Sequence, residues 1–411
     1  MDIRIQPSVL SGRVKIPSSK SYAHRLLICA GLSNGKSVIR GISRSKDIDA
    51  TISSIKALGA DFIVREDEIE VIGISEPNKK AVLDCCESGS TLRFLIPVAA
   101  ALGADATFCG QGRLPQRPID IFTRELSSKG ITFDYNNTMP FDISGKLKGG
   151  TFSLEGNVSS QFVTGLLFAL PLLSENSEIV MTSRLESKPY VDMTVASLKM
   201  FGIIVDENEN GYRIKGGQAY RPCSCSVEGD FSQAAFFYVA NAIGSNVLLE
   251  NLNSESVQGD KKILEIIKEM CYNSEAGQLK SFNADCSDIP DLVPILAVLG
   301  CFGSEASEIH NAERLRIKES DRLAAVSDML NKLGGKVTVL DDGLRIEPAE
   351  LHGGTIDSFG DHRIVMSAAI AATRASGSVI IKGAEAVEKS YPDFFRDYNI
   401  LGGKTNVINL D

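Results

Sequence analysis

A motif that returns six times along this chain limits the folds that the chain can adopt. Each copy is a short polar or basic cluster directly before an apolar run, and the six clusters are SSKSYAHR, ESGSTLRF, SSQFVTG, GDFSQAAF, SDIPDLVP and GDHRIVMS. Their spacings are 69, 71, 71, 60 and 70 residues, measured between Lys20, Gly89, Ser160, Phe231, Asp291 and Asp361. Six units of this size fill the 411 residues, and such a period indicates a fold built from repeats.

The order of secondary-structure elements also repeats within each unit. About twelve mostly apolar positions follow each cluster without the periodicity of a half-solvated helix, so we predict six helices that are buried on most sides. A β-branched run and, in most units, a second helix come next. Gly59, Gly202 and Gly334 follow second helices as C-terminal stop signals. Together with the strands that follow, each unit is predicted to run roughly strand-helix-strand-helix-strand.

The composition favours a large soluble enzyme of two to three domains. No apolar stretch reaches the length of a membrane span, and the N-terminal residues contain no apolar signal region, so we expect a cytoplasmic protein. The nine cysteines include two close pairs, Cys85–Cys86 and Cys223–Cys225, and neither has zinc-site spacing. We therefore expect reduced thiols and no metal.

The charge distribution indicates a site for small anions. The net charge is −9, which argues against nucleic acid as a partner. The free N–H groups and partial positive charge of a helix N-terminus favour anions, and nearby cations strengthen this preference. Eleven lysines and arginines lie at or near the clusters or at junctions between a loop and a helix: Lys20, Arg25, Arg93, Arg113, Arg117, Arg314, Arg316, Lys318, Arg322, Arg363 and Lys389. Any one of them alone is typical of a solvated surface. As a set, they lie at equivalent points of the repeats, which favours an anion site.

Three constellations contain most of the candidate chemistry. The segment from Pro17 to Arg25 is a Ser-rich loop entering a helix, but it lacks the glycine spacing of a nucleotide-binding P-loop. The segment RIKESDR is predicted to open a long helix, with Lys318 and Arg322 on one face because they are four residues apart. In Asp361-His362-Arg363, the histidine is equally compatible with the core and with a functional site. The arginine directly precedes a buried apolar helix, where packing alone does not favour a charged residue.

Together these segments resemble one enzyme family. KSYAHR, GSTLR, LPQRPI, SSQF, SKPYVD, IPDL, RIKESDRL, GDHR and EKSYPDFF occur in the order found in the EPSP synthase family, from Ile16 to about Phe395. The resemblance implies an α/β (α+β) fold: a two-domain, enolpyruvyl-transferase-like inverse α/β barrel with six βαβαββ-type repeats, three per domain, and an active site in the interdomain cleft. It also implies domains at 1–19 plus 230–411 and at 20–229, with crossings near 19–20 and 229–230.

The resemblance further implies the reaction and the residues that perform it. The family transfers the enolpyruvyl group of phosphoenolpyruvate to the 5-hydroxyl of shikimate 3-phosphate, through a tetrahedral intermediate, without a metal or organic cofactor. The expected catalytic residues are Asp291, Glu319 and Lys20. Shikimate 3-phosphate is expected to bind Lys20, Ser21, Arg25, Ser159, Ser160, Gln161, Ser187, Tyr190, Asp291, Lys318 and Arg314. Phosphoenolpyruvate is expected to bind Lys20, Gly89, Arg117, Gln161, Arg322, Arg363 and Lys389. The expected partners are these two small molecules, with no nucleic acid or membrane, and the expected state is a monomer.

Two positions depart from the commoner family pattern, and two alternative functions stay open. Glu87 replaces a frequent Asn, and Arg314 replaces a frequent Asn or His, so its substrate contact is in question. One alternative is the related enolpyruvyl transferase that acts on UDP-N-acetylglucosamine. That family usually has a reactive Cys five residues before an Arg-Pro, a position that is Gly112 in this chain; Cys109 lies outside it. The other alternative is a non-enzymatic repeat scaffold.

Overall fold

A computed structural model describes residues 1–66, 68–271 and 279–408 of the chain. Within them, the α-helices are α1 (Lys20–Leu32), α2 (Lys46–Ala57), α3 (Gly89–Leu102), α4 (Asp120–Ser127), α5 (Ser160–Ala169), α6 (Lys188–Met200), α7 (Phe231–Ala242), α8 (Ile263–Cys271), α9 (Val293–Gly300), α10 (Arg322–Lys332), α11 (His362–Ala372) and α12 (Phe394–Ile400). Short 3-10 helices span Leu114–Gln116, Leu170–Leu172, Gly259–Lys262, Pro290–Leu292, Glu313–Ile317 and Ala384–Lys389.

The strands complete the repeat. They are β1 (Asp2–Gln6), β2 (Ser11–Lys15), β3 (Lys36–Arg40), β4 (Asp61–Val64), β5 (Glu68–Ile72), β6 (Lys80–Asp84), β7 (Asp105–Cys109), β8 (Ile131–Asp134), β9 (Phe141–Gly145), β10 (Gly150–Leu154), β11 (Ser177–Met181), β12 (Asp206–Asn208), β13 (Gly211–Ile214), β14 (Ser224–Ser226), β15 (Asn246–Glu250), β16 (Asn283–Asp285), β17 (Ser307–His310), β18 (Lys336–Val339), β19 (Leu344–Glu347), β20 (Gly354–Asp357), β21 (Val379–Lys382) and β22 (Lys404–Ile408). The order β6-α3-β7-α4-β8-β9 is the predicted βαβαββ unit.

Each repeat corresponds to a small open sheet. In β6-β7-β9-β8, the first two strands are parallel and flank α3, and β9 then pairs antiparallel with both β7 and β8. The same pattern is present in β10-β11-β13-β12 and β16-β17-β19-β18. In β20-β21-β1-β22, the N-terminal strand β1 supplies the antiparallel partner of β21. The first strand of the chain therefore completes the last repeat.

The chain divides into two compact units, and their boundaries lie at two crossings. One unit is Met1–Pro17 with Gly229–Asp411, and the other is Ser18–Glu228. The expected crossings were 19–20 and 229–230. Ser18 and Ser19 lie in the second unit because their amides donate to Ser43 Oγ at 2.9 Å and to the Glu228 carbonyl at 2.7 Å. The amide of Asp230 donates to the Pro17 carbonyl at 2.9 Å within the first unit.

The crossings exchange strands between two repeats. Elsewhere, the two strands that flank the first helix of a repeat pair with each other. Here β2, which precedes α1, pairs with β15, while β14, which precedes α7, pairs with β3. Each parallel pair thus lies within one unit although its strands come from different repeats.

The six predicted buried helices are confirmed as α1, α3, α5, α7, α9 and α11. Nearly every side chain from Phe94 to Ala101 in α3 is buried, as is every side chain of α9 and α11. Each unit has its own apolar core; α3 packs on α5 in one, and α7, α9 and α11 pack on one another in the other. The predicted stop glycines are also confirmed, because Gly59, Gly202 and Gly334 have φ values of +116°, +79° and +87°.

One helix boundary differs from the prediction. Glu313–Ile317 is a 3-10 helix, Lys318 is extended, and α10 begins only at Arg322. Asp321 sets this start because its Oδ1 accepts a hydrogen bond from Ala324 N at 3.2 Å, as N-cap residues do. Lys318 and Arg322 therefore do not share a helix face. Among the described residues, no helix is both long enough and apolar enough to cross a bilayer.

Candidate active site

The unit Ser18–Glu228 brings together the first set of predicted site residues at the starts of its buried helices. Ser19 caps α1 by accepting a hydrogen bond from Tyr22 N at 3.4 Å. Lys20, the first residue of α1, has its Nζ 2.8 Å from Asp47 Oδ2 in the first turn of α2. This ion pair fixes the position of a cation at the helix start.

Arg25 is buried one turn further along α1. Its Nε donates to Thr194 Oγ1 at 2.9 Å, and its Nη1 and Nη2 donate to the carbonyls of Ser21 and Tyr190 at 2.6 and 2.7 Å. The guanidinium carbon lies 5.3 Å from the ring centroid of Phe94. Burial lowers the pKa of Arg25 to about 10, so the side chain is still cationic at neutral pH. The structure therefore brings Arg25 together with the main chain of Ser21 and Tyr190, two other predicted site residues.

The turn before α3 packs tightly against arginine side chains. Ser88 caps α3 by accepting a hydrogen bond from Thr91 N at 3.1 Å. A β-carbon added to Gly89 would lie 2.5 Å from Arg117 Nη1, and 3.5 Å from both Arg93 Nη1 and Gln161 Oε1. A side chain here would force the end of the Arg117 side chain to move, because the guanidinium approaches the backbone so closely.

Gln161 connects this turn with α5. Its Oε1 accepts from Arg93 Nη1 at 2.8 Å, and its Nε2 donates to Ser90 Oγ at 3.0 Å. Ser159 caps α5 by accepting from Gln161 N at 3.3 Å, and Ser160 is buried in the first turn. Arg93 was not assigned a role from the sequence. Its place among the cations near the starts of the buried helices was the signal that could have found it.

Two further residues of this unit have informative positions. Ser187 precedes α6 with φ +56°, a left-handed backbone, and its carbonyl accepts a hydrogen bond from Tyr190 N at 3.0 Å. The carboxylate of Glu87 is directed at the loop around Gly112, because a β-carbon on that glycine would lie 2.6 Å from Glu87 Oε2.

The other unit, Met1–Pro17 with Gly229–Asp411, gathers three carboxylates around Arg322. Arg322 Nε, Nη1 and Nη2 donate to Asp361 Oδ2 at 2.8 Å, Asp291 Oδ1 at 2.9 Å and Glu319 Oε2 at 2.7 Å. The arginine side chain is 2 % exposed. Burial alone lowers the pKa of Arg322, but these three carboxylates outweigh it and raise this pKa above its ordinary value. A buried guanidinium with every nitrogen bonded to a carboxylate has one orientation.

Asp291 lies between two guanidinium groups. Arg363 Nη2 donates to Asp291 Oδ2 at 2.6 Å, and Arg363 Nη1 donates to the Asp291 carbonyl at 3.2 Å. Burial raises the pKa of Asp291, but Arg363, Arg322 and Lys318 outweigh it and hold this pKa well below the ordinary value. Asp291 is therefore ionised at neutral pH, as a proton acceptor must be.

Lys318 and Asp361 complete this cluster. Burial lowers the pKa of Lys318 to about 8, against the opposing charges of Asp291 and Glu319. Asp361 also accepts from Ser320 Oγ at 3.1 Å and caps α11 through Arg363 N at 2.9 Å. The sequence did not indicate that Asp361 would connect α10 with α11. The glycine-aspartate pair before a helix was the available signal, as it is typical of an N-cap.

Arg314 and Lys389, the other two predicted contacts in this unit, each bond a main-chain carbonyl. Arg314 Nη2 donates to the carbonyl of Ser287, four residues before Asp291. Lys389 Nζ donates to the carbonyl of Gly360 at 2.8 Å, directly before the cap of α11. Both cations therefore lie beside segments that carry predicted site residues. Among the described residues, no group of three or more His, Cys, Asp or Glu side chains could hold a metal ion.

Comparison with known proteins identifies close similarities over the whole chain. The family model described as EPSP synthase (3-phosphoshikimate 1-carboxyvinyltransferase) matches residues 5–398. A protein named 3-phosphoshikimate 1-carboxyvinyltransferase from Clostridium beijerinckii is 45% identical over 431 residues, covering 100% of this chain and 99% of the relative. A protein of the same name from Clostridium novyi is 45% identical over 424 residues, covering 98% of each.

Solved structures show the same fold. EPSP synthase from Acinetobacter baumannii matches with a TM-score of 0.83 and 25% identity, covering 99% of this chain and 100% of that chain. The enolpyruvyl transferase NikO from Streptomyces tendae matches with a TM-score of 0.79 and 16% identity, covering 98% of each chain. The second likeness bears on the fold alone.

Proposed function

This chain belongs to the EPSP synthase family, and from that premise we propose that it transfers the enolpyruvyl group of phosphoenolpyruvate to the 5-hydroxyl of shikimate 3-phosphate and releases phosphate. The observation that carries the proposal is the cluster around Arg322. It holds one carboxylate, Asp291, ionised between Arg322 and Arg363, and a second, Glu319, on the same guanidinium. An addition–elimination reaction needs two such groups, one to accept and one to donate a proton.

The proposed chemistry assigns a separate role to each group. The Asp291 carboxylate accepts the proton of the 5-hydroxyl as its oxygen bonds to carbon 2 of phosphoenolpyruvate, while Glu319 donates a proton to the methylene carbon. In the second step, Glu319 takes a proton back from the new methyl group, the double bond reforms, and the C–O bond to phosphate breaks as Asp291 gives its proton to the departing phosphate. Lys20 contacts both the reacting 5-hydroxyl and the departing phosphate. Because every proton is taken up and returned, the reaction needs no further reactant.

The remaining residues are proposed to bind the two anions. Arginine binds carboxylate and phosphate in a bidentate manner, so we assign phosphoenolpyruvate to the Gly89 turn and to Arg117, Gln161, Arg322, Arg363 and Lys389. Shikimate 3-phosphate is assigned to Ser21, Arg25, Ser159, Ser160, Gln161, Ser187, Tyr190 and Lys318. Arg314 is proposed to act through its bond to Ser287, by positioning the segment that carries Asp291.

Phosphate release tests this function directly. The purified chain is incubated with phosphoenolpyruvate and either shikimate 3-phosphate or UDP-N-acetylglucosamine. We expect phosphate with shikimate 3-phosphate only. Release with the sugar nucleotide would instead assign the chain to the related transferase, and release with neither would favour a non-enzymatic scaffold. We further propose a cytoplasmic monomer, for which light scattering should give a mass near 44.3 kDa.

Glu319→Gln should separate chemistry from binding. The amide preserves the shape of the side chain but has no acidic proton, so we expect kcat to fall by about two orders of magnitude. The affinity for shikimate 3-phosphate should change little and is measured by calorimetry. Near-normal turnover would show that another group donates the proton.

Gly89→Ala should weaken phosphoenolpyruvate binding. The added methyl would lie 2.5 Å from Arg117 Nη1, so the guanidinium has to move, and we expect KM for phosphoenolpyruvate to rise roughly tenfold. Gly377→Ala is the matched control, because the nearest atoms to its added carbon are at 3.4 Å. An unchanged KM in Gly89→Ala would place Arg117 outside the anion site.

The pKa of Lys318 predicts a loss of substrate affinity at alkaline pH. The ammonium is charged below its pKa of about 8, so kcat/KM for shikimate 3-phosphate should fall as pH rises through that value. Lys318→Arg keeps the positive charge and should move this fall to higher pH. Lys332→Arg, an exposed lysine on the same helix as Arg322, should leave the profile unchanged. The same profile in all three proteins would contradict the assignment.

A further inference from the structure

Two consecutive residues of α1 begin two separate chains of buried hydrogen bonds. His24 Nδ1 lies 2.7 Å from Thr51 Oγ1 of α2, and Thr51 Oγ1 lies 2.6 Å from Thr91 Oγ1 of α3. Arg25 Nε lies 2.9 Å from Thr194 Oγ1 of α6, and Thr194 Oγ1 lies 3.0 Å from Thr164 Oγ1 of α5. All six side chains are buried. A buried hydroxyl is costly unless bonded, so both chains fix the positions of the helices that they join.

The direction of the first chain follows from its last link. Thr91 Oγ1 donates to Ser88 Oγ at 2.8 Å, so Thr91 accepts from Thr51, and Thr51 accepts from His24 Nδ1–H. Burial, with added repulsion from Lys20 and Arg25, holds the pKa of His24 well below 6.5. The ring is therefore neutral and carries its proton on Nδ1. Among the described residues, His24 Nε2 has no hydrogen-bond partner.

The first chain ends at the turn proposed to bind phosphoenolpyruvate. Ser88 Oγ accepts from both Thr91 N and Thr91 Oγ1, and Gly89 follows it in contact distance of Arg117. A displacement of this turn by a few tenths of an ångström would move the backbone against the guanidinium. The hydrogen bonds that begin at His24 reach the site through this turn, and its ring also lies edge-on to Phe94 with the centroids 6.5 Å apart.

The second chain ends among residues proposed to bind shikimate 3-phosphate. Thr194 Oγ1 donates to the Tyr190 carbonyl at 3.0 Å, so it accepts from both Arg25 Nε and the hydroxyl of Thr164. Thr164 lies one turn after Ser160 on α5. Among the described residues, none of the hydrogen bonds of this second chain involves the Ser88–Gly89 turn.

We propose that His24 is a positioning residue for phosphoenolpyruvate, which acts through Thr51 and Thr91 on the Ser88–Gly89 turn, whereas Thr194 positions Arg25 and Tyr190, which bind shikimate 3-phosphate. This inference rests on the proposed function. Each substrate site is thus held by its own chain of hydrogen bonds, although both chains begin on the same turn of α1. A substitution that breaks one chain should therefore change the KM for one substrate.

The test is a crossed pair of substitutions. Thr51→Val replaces the central hydroxyl of the first chain with a methyl group of the same shape, and we expect KM for phosphoenolpyruvate to rise roughly tenfold while KM for shikimate 3-phosphate stays within about twofold. Thr194→Val should give the reverse pattern. Thr51→Ser and Thr194→Ser keep the hydroxyl and should restore the affected constant.

Further variants keep the inference falsifiable. Thr91→Val cuts the first chain one link later and should reproduce the selective effect of Thr51→Val. Thermal unfolding of each variant is recorded beside the kinetics. Equal changes in both KM values, a change in shikimate 3-phosphate alone, or loss of the folded state in both first-chain variants would overturn the proposal. An inactive wild-type protein would contradict the proposed function itself, and the inference with it.

Discussion

Asp291→Asn should lower kcat by about three orders of magnitude. The amide cannot accept the 5-hydroxyl proton, and general base catalysis contributes about 10²- to 10⁴-fold. The substitution also removes the negative charge that Arg322 Nη1 and Arg363 Nη2 contact at 2.9 and 2.6 Å. The two guanidinium groups therefore lose their shared anion in the ground state. Steady-state phosphate release at saturating substrates measures the effect.

A matched substitution separates this effect from a general loss of charge. Asp328→Asn, on the exposed side of α10 and paired with Lys332, removes the same charge from the same unit and should leave kcat within about twofold. If Asp291→Asn retains more than about a tenth of the wild-type kcat, Asp291 is not the general base.

Arg322→Met should lower the free energy of unfolding by about 3–5 kcal/mol, because it leaves Asp291, Glu319 and Asp361 without their shared cation. Removing one partner of a buried ion pair costs more than the pair contributes, since the remaining charges stay desolvated. Urea unfolding at neutral pH measures the loss. Lowering the pH should recover part of it, because protonation removes the repulsion among the three carboxylates.

Arg345→Met is the control for a less buried ion pair. Arg345 Nη1 lies 2.6 Å from Glu308 Oε1, but the arginine side chain is 45% exposed, so we expect a loss of about 1 kcal/mol or less. A similar loss for Arg322→Met would mean that its three carboxylates find other partners or take up protons in the folded protein.

The sequence predicted the repeat and its buried helices because both depend on local patterns. Apolar runs without a solvated face specify buried helices, and Gly59, Gly202 and Gly334 mark helix ends by their backbone freedom. The family resemblance supplied the substrate classes and the residues. The order of helices and strands along each repeat also followed from these segments, but the pairing of strands within each sheet did not.

The details of the site depend on contacts between distant residues, which local patterns do not encode. The four-residue spacing of Lys318 and Arg322 predicted a shared helix face, but the capping preference of Asp321 delayed the helix start. Arg322 bonds carboxylates 31 and 39 residues away. Arg25 and Thr194 are separated by 169 residues. No spacing rule relates such pairs.

The pairing of the first two strands with strands far along the chain has a consequence for synthesis on the ribosome. Of the described strands, β1 is made before all others, whereas its partners β21 and β22 are made after all others. Similarly, β2 has no partner until β15 has been made. At about 5–20 residues per second, β1 stays unpaired for roughly 20 to 80 s. The segment Ser18–Glu228, by contrast, contains both β3 and β14 and can close as soon as it has emerged. The middle of the chain can therefore fold before its beginning.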